Sequence, residues 1–466
     1  MPLKNRRGAA GVFAATLALV LTACTSGAEE PDAAPTPTAT TSAASPATDP
    51  VVLRLGVYGP DGLLTAYQEL ADAFVDENPD VEVELVTFPD HDTAMAAYDK
   101  RRGDGKPTPD VFLIEHADLP VLLEREWIQP VDALLGERGV DFGDGYQREG
   151  MTAFSADLGL QCMPHDVSPM VVYYNTDLVD LSTIGEDPDS APTPADGWTF
   201  EQFAEAARSV STRRVKGVHV DPDLEQLAPF LWSGGGGLLD DASEPTRLDL
   251  SSDDNRETLE EVLTLLREER VTPSPQLLER RDPLQLFAAG RLGMLLGYRD
   301  LVPELRAMAD VRFDVMPLPR VGSYRTVSSL SGYCLASDTD HVQEAADLLT
   351  FVVGDAGETI VTRAGYTLPA NLEVAYSPAF RDGAKDPQSS FVFNEGVRRS
   401  EQLPTGPQWE SAMAITTPLI RRMLYAPVVN LERLTERIDD VSKVAFTLPQ
   451  EESDADGDDE SVEDDG

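Results

Sequence analysis

Apolar positions along this chain follow two spacings that alternate. Val51 to Val57 is a run rich in valine and leucine, closed by Tyr58-Gly59-Pro60, which predicts a strand and a turn. Leu63, Leu64, Tyr67, Leu70, Ala71, Phe74 and Val75 then recur three and four apart, the period of a helix with one buried face, and Glu77-Asn78-Pro79 ends it. Val81 to Leu85 alternates apolar and acidic residues, as a half-exposed strand does. Thr93 to Arg102 predicts a second helix and Gly103 to Pro109 a loop. Asp110-Val111-Phe112-Leu113-Ile114 is the uninterrupted apolar run of a parallel strand covered on both faces. Strands alternating with helices at this spacing predict βαβ units and an α/β fold.

Farther on, Val171 to Asn175 predicts a strand, and Thr199 opens a helix whose apolar face is Phe200, Phe203, Ala206 and Ala207. Ser251 or Ser252 caps a longer helix carrying Leu259, Val262, Leu263 and Leu266, ended by Pro273 and Pro275. Phe287 to Leu296 reads as a helix end turning into a buried strand. Strand character resumes after Gly332 through Leu335, His341 to Val353 is an amphipathic helix, and the remainder is largely helical to about Phe446. No repeat of fixed period is present.

The two ends differ from this body. Behind Lys4, Arg6 and Arg7 lies an apolar stretch, Ala9 to Leu21, too short for a span of about 20 residues, so it reads as a cleaved signal. Leu21-Thr22-Ala23-Cys24 resembles the bacterial lipobox, which implies cleavage before Cys24 and diacylation of its thiol. Arg6-Arg7 also opens a twin-arginine reading, but Gly8-Ala9-Ala10 follows where such signals carry a more specific pattern. Thr25 to Pro50 is almost all Thr, Ser, Ala, Pro and Gly with a few acids and reads as a semi-extended tether. Glu451 to Gly466 carries ten acids and no base and reads as disordered.

The body of about 400 residues is too long for one compact core and suits two lobes. A net charge of -45 argues against nucleic acid as a partner and against binding anionic lipid through a basic face, so the membrane link must be the lipid itself. Catalytic and metal signatures are missing. His91, His116, His165, His219 and His341 show no metal-ligand spacing, and there is no nucleophile elbow, phosphate loop or dinucleotide fingerprint. Gly234 to Gly237 lacks the Lys and Ser/Thr of a phosphate cradle. No cofactor is expected. With Cys24 assigned to lipid, Cys162 and Cys334 remain, either as a disulfide or as two buried thiols.

Several motifs in order resemble the bacterial extracellular solute-binding proteins of the large sugar-binding family that serve ATP-driven importers. They are Phe74-Val75-Asp76-Glu77-Asn78-Pro79, Pro109-Asp110-Val111, Pro164, Val172-Tyr173-Tyr174-Asn175-Thr176-Asp177-Leu178, Gly197-Trp198-Thr199-Phe200-Glu201-Gln202-Phe203, Phe287 to Gly297, and Ser331-Gly332-Tyr333. The resemblance implies a two-lobed α/β fold of the type II periplasmic-binding-protein kind, lobes joined by hinge strands, with a solute in the cleft. The expected organisation is a signal peptide over 1–23 and a tether over 24–50. Lobe 1 comprises 51–164 with 335–372, lobe 2 comprises 165–334 with 373–448, and an acidic tail spans 449–466. The implied hinge crossings lie near Cys162 to Val171 and Ser331 to Ser337, which would put both cysteines at the hinge and let a bridge limit lobe opening.

A sugar cleft needs flat aromatics for the CH face and carboxylates or amides for the hydroxyls. Loops at strand ends offer Tyr58, Glu115, His116, Asp118, Trp232, Tyr298 with Arg299 and Asp300, and Trp409. Trp127 and Trp198 read as core. Tyr173-Tyr174 has the look of a ferric-ion tyrosine pair, but adjacent strand residues face opposite ways and the pair reads as hinge-strand structure. The implied protein is a monomer on the outer face of the cell membrane. It is not an enzyme, and it hands a carbohydrate, an oligosaccharide, to the permease of an ABC importer. A polyamine or other cationic solute is the alternative ligand, and a surface carbohydrate-active enzyme the alternative class.

Overall fold

The computed structural model describes residues 50–156, 159–187 and 190–447. The signal, Cys24, all but the last residue of the tether, and the acidic tail lie outside the described residues. Nine strands there have four residues or more: β1 (Val51–Tyr58), β2 (Val81–Phe88), β3 (Val111–Glu115), β4 (Cys162–Pro169), β5 (Val171–Asn175), β6 (Lys216–His219), β7 (Leu292–Gly297), β8 (Phe313–Met316) and β9 (Thr326–Ala336).

The first sheet runs β2-β1-β3-β9-β4. β1 pairs in parallel with β2 from Val51 opposite Val81 to Tyr58 opposite Phe88, and with β3, as the alternation of strand and helix predicts. β9 runs antiparallel to β3 on one side and to β4 on the other. The helices Asp61–Glu77 and Val342–Val353 cover the sheet with the faces their periods predict, including Leu63, Tyr67, Leu70 and Phe74 from one and Leu348, Leu349 and Val352 from the other. The second sheet runs β8-β5-β7-β6, with β7 and β6 parallel and the other pairs antiparallel. Its helix Phe200–Val210 starts in a capping box, Thr199 and Gln202 exchanging side-chain and backbone bonds. Ser252 precedes Asp253–Leu266 as its cap residue but makes no side-chain capping bond.

The chain passes between the sheets three times, and the passages are bonded to one another. The Met170 amide donates to Val327 O at 2.8 Å, and Thr326 Oγ1 donates to Met170 O at 2.7 Å. The Thr326 amide donates to Arg399 O at 3.0 Å, and the Ser400 and Ser328 hydroxyls lie 2.7 Å apart. This corrects the expected boundaries at 164/165 and 334/335. β4 and β9 pair from Ser328 opposite Pro169 to Cys334 opposite Cys162, so both belong wholly to the first sheet and the chain can cross only where that pairing stops. The expected boundary at 372/373 also moves. Ala375, Phe380, Val392, Phe393 and Val397 bury themselves in the larger core cluster with the first-sheet strands, whereas Trp409 and Ile420 join the second-lobe cluster.

Cys162 and Cys334 are opposite partners in this antiparallel pair, with Cα atoms 4.3 Å apart and sulfurs joined in a disulfide. Both are fully buried in the first lobe. The bridge therefore ties two strands of one lobe at the end away from the crossings. It does not span the hinge, so the expectation that it restricts lobe opening does not hold.

Candidate functional site

Loops at the carboxyl ends of β1, β3 and β7 meet between the two lobes, where open α/β sheets place ligands, and enclose a cavity of about 550 Å³. The first lobe contributes Tyr58, Tyr67, Glu115, His165, Asp166, Ser168, Ser329, Ser331, Tyr366 and Thr367. The second contributes Tyr298, Asp300, Leu301, Pro303 and Glu304. The turn after β1 depends on Gly59, whose φ of +141° disfavours side chains and whose added Cβ would meet Leu63 Cδ2 at 2.9 Å. The lining thus holds four tyrosines and four carboxyl groups, and no Lys or Arg.

The floor is polar and only partly used by the fold. Asp166 accepts from the Leu368 amide and from Ser168 Oγ, both at 2.6 Å, yet burial pushes its carboxyl up to about 7. Beside it His165 Nδ1 meets Glu358 Oε1 at 2.9 Å, with both side chains buried. Burial opposes the imidazolium, but the Glu358 carboxylate outweighs it and holds the His165 pKa above its ordinary value. His165 Nε2, Tyr58 Oη and Thr367 Oγ1 are buried without a protein partner. At the second-lobe wall Tyr298 Oη donates to Glu225 Oε1 at 2.5 Å, and Tyr173 Oη donates to the Tyr298 carbonyl, which together fix the ring.

Of the residues picked from the sequence, Tyr58, Glu115, Tyr298 and Asp300 line this cavity and the others do not. Asp118 is committed elsewhere: it accepts from the Glu115 amide at 2.9 Å and pairs with His91 Nε2 at 2.8 Å. Burial works against the charge of His91, but the bond to Asp118 and the nearby carboxylates prevail and raise it to about 9. The His116 ring packs edge-on against Phe154 at 5.7 Å, and burial lowers its pKa. Trp232 packs on the second-lobe core from the helix Leu224–Ser233. Trp409 is 9 % exposed in the first turn of the helix Pro407–Tyr425, where a loop was expected. Trp409 satisfies a helical apolar period as a buried core residue, whereas Trp232 stays partly exposed against the second-lobe core, outside the cavity lining.

Sequence reasoning missed Tyr67, His165, Asp166, Ser168, Ser329, Ser331, Glu304, Tyr366 and Thr367. Two signals pointed there. His165, Asp166 and Ser168 interrupt an otherwise apolar strand, and Tyr366-Thr367 follows Gly365, whose φ is +88°. Among the described residues no group of three or more His, Cys, Asp or Glu side chains is placed to hold a metal ion.

Two α/β lobes joined by three bonded crossings around a polar cleft define a receptor for a small solute. The family model for the bacterial extracellular solute-binding protein matches residues 69–388, well over half of the sequence, and the chain belongs to that family. Its proteins work outside the cytoplasm. No curated protein sequence matches the chain. Among solved structures, an ABC substrate-binding protein from Listeria monocytogenes in complex with cycloalternan is 20 % identical, with a TM-score of 0.72 over 85 % of this chain and 99 % of that one. The GacH receptor of Streptomyces glaucescens, solved unliganded and with acarbose, is 14 % identical, with a TM-score of 0.68 over 85 % and 98 %. The Thermus thermophilus maltotriose-binding protein, bound with maltotriose, is 16 % identical, with a TM-score of 0.64 over 84 % and 100 %. At these identities the likeness is one of fold.

Proposed function

We propose that this protein is a lipid-anchored receptor that captures a carbohydrate, an oligosaccharide, in the inter-lobe cleft and delivers it to an ABC-type permease. The observation that carries the reading is the cleft lining, which combines the partly exposed rings of Tyr58, Tyr298 and Tyr366 with four carboxyl groups and has no Lys or Arg. Rings supply flat apolar faces for the CH side of a sugar, and carboxyl groups accept from its hydroxyls. The sugar ligands of the solved relatives support the same class. Closure of two lobes on a ligand is an established way to signal occupancy to a partner, which suits handover to a permease. Anchoring rests on Cys24, and the tether behind it gives the body reach from the membrane.

The same acidic lining favours a second reading, in which a polyamine or another cation binds among the carboxylates and tyrosines. A thermal-shift screen of the full chain against neutral oligosaccharides, polyamines and divalent metals separates the two. Saturable stabilisation by an oligosaccharide with no product formed supports the first reading. Stabilisation by spermidine alone supports the second, and turnover of any sugar makes the protein an enzyme.

A further inference from the structure

Behind the cleft, on the far side of the segment Tyr298-Arg299-Asp300, lies a second cavity of about 610 Å³ with the opposite charge. Arg299, Arg306, Arg363 and Lys385 line it, with Asp382 as its one acid. Such an excess of cations stands out in a chain whose net charge is -45. Lys385 pairs with Asp382 at 3.1 Å, but none of the three arginines has a carboxylate at ion-pair distance among the described residues.

Arg299 decides what the cavity is for. It is 1 % exposed, with its guanidinium 4.5 Å from the Phe380 ring centre and 5.3 Å from that of Phe393. A buried guanidinium is costly unless its donors are paired. Of its five N–H groups the fold engages two, Nε to Gly365 O at 3.1 Å and Nη1 to Ser390 Oγ at 3.5 Å. Thr362, also 1 % exposed and lining the same cavity, keeps a buried hydroxyl without a protein partner. Arg306 anchors its Nε on Asp386 O at 2.6 Å, which holds a second guanidinium at the wall. The aromatic faces thus fix the orientation of a planar fork whose remaining donors have no acceptor of their own.

We propose that this cavity is a binding site for a small polyvalent oxyanion, inorganic phosphate or a phosphate ester, held by Arg299, Arg306 and Arg363. Guanidinium forks match phosphate oxygens two at a time, which a lone lysine does not. The site is separate from the solute cleft and does not depend on which solute the cleft takes. Its test uses calorimetric titration of the full chain with inorganic phosphate, at constant ionic strength set with chloride. One saturable site is expected. Arg363→Ser and Lys385→Ser change exposed side chains and leave the fold intact, and the first should weaken phosphate binding about tenfold, the value of a charge-assisted bond. Arg299→Lys keeps a cation but loses the fork and should weaken it at least as much. Absence of a saturable heat overturns the proposal, and so does equal phosphate binding by the parent and Arg363→Ser.

Discussion

Replacing Asp166 with Asn should make the protein harder to unfold at pH 8 and leave it unchanged near pH 4. In the folded protein burial raises this carboxyl from its ordinary 3.8 to about 7. A folded-state pKa above the unfolded one means that folding favours the protonated form. The stabilisation is therefore complete below pH 4 and is lost as the pH rises through 7. A difference of about three units corresponds to roughly 4 kcal/mol for a fully enclosed group, at about 1.4 kcal/mol per unit. Asp166 is only half-buried at the cleft surface, so solvent screening reduces this to about 1–2 kcal/mol. Asn keeps the size of the side chain and an oxygen that still accepts from the Leu368 amide and Ser168 Oγ. His165 and Glu358 also titrate nearby and also have raised values, so the parent's stability falls with pH for their sake too. Only the difference between parent and variant isolates Asp166. The assay is denaturant unfolding of both proteins from pH 4.5 to 8.5. Curves that stay parallel, or a variant less stable at pH 8, would mean that the carboxylate is charged and well paired in the fold, the opposite of what burial dictates.

Three further outcomes are expected. Cys162→Ala with Cys334→Ala should lower unfolding stability by up to about 5 kcal/mol, since the bridge spans 172 residues of sequence, while leaving ligand affinity unchanged because the bridge lies within one lobe; denaturation with and without reductant and a ligand titration check both halves. Trp409→Ala should cost about 3–5 kcal/mol of stability with no loss of affinity, whereas Tyr366→Ala should weaken oligosaccharide binding about fivefold or more with little effect on stability, as paired titrations and melts will show. Cys24→Ser should move the protein from the membrane fraction to the medium, read by fractionation and by loss of lipid mass.

Much of the fold is legible in local periods. The helix Asp61–Glu77, the apolar run of β3 and the strand Val171–Asn175 emerge where their spacings place them, because each buries a face that tertiary packing then uses. β9 is the exception. Only its end after Gly332 reads as strand, because Ser328, Ser329 and Ser331 supply the alternation with hydroxyls that face the cleft and the hinge. That missed start displaced the expected crossings and, with them, the cysteines. The lining of the candidate cleft was legible where a loop follows a strand, at Tyr58, Glu115, Tyr298 and Asp300. It was hidden where a helix supplies the wall, as with Tyr67, whose place in a regular apolar period reads as core, and only faintly marked in a strand interior, where polar residues such as Asp166 break an apolar run. The tryptophans lie outside the lining for a related reason: large aromatics serve cores and clefts alike, and Trp409 is buried in the second-lobe core while Trp232 packs partly exposed against it.

Uptake of an intact neutral oligosaccharide by the cleft is the proposal on which the function rests. Calorimetric titration of a ladder of oligosaccharides into the full chain, with product analysis of the same samples, tests it most directly. One site per chain is expected for at least one sugar, with a negative heat-capacity change, unchanged sugar after binding, and weakened binding in Tyr366→Ala. No heat with any neutral sugar alongside saturable binding of a polyamine, or hydrolysis of the bound sugar, would contradict it.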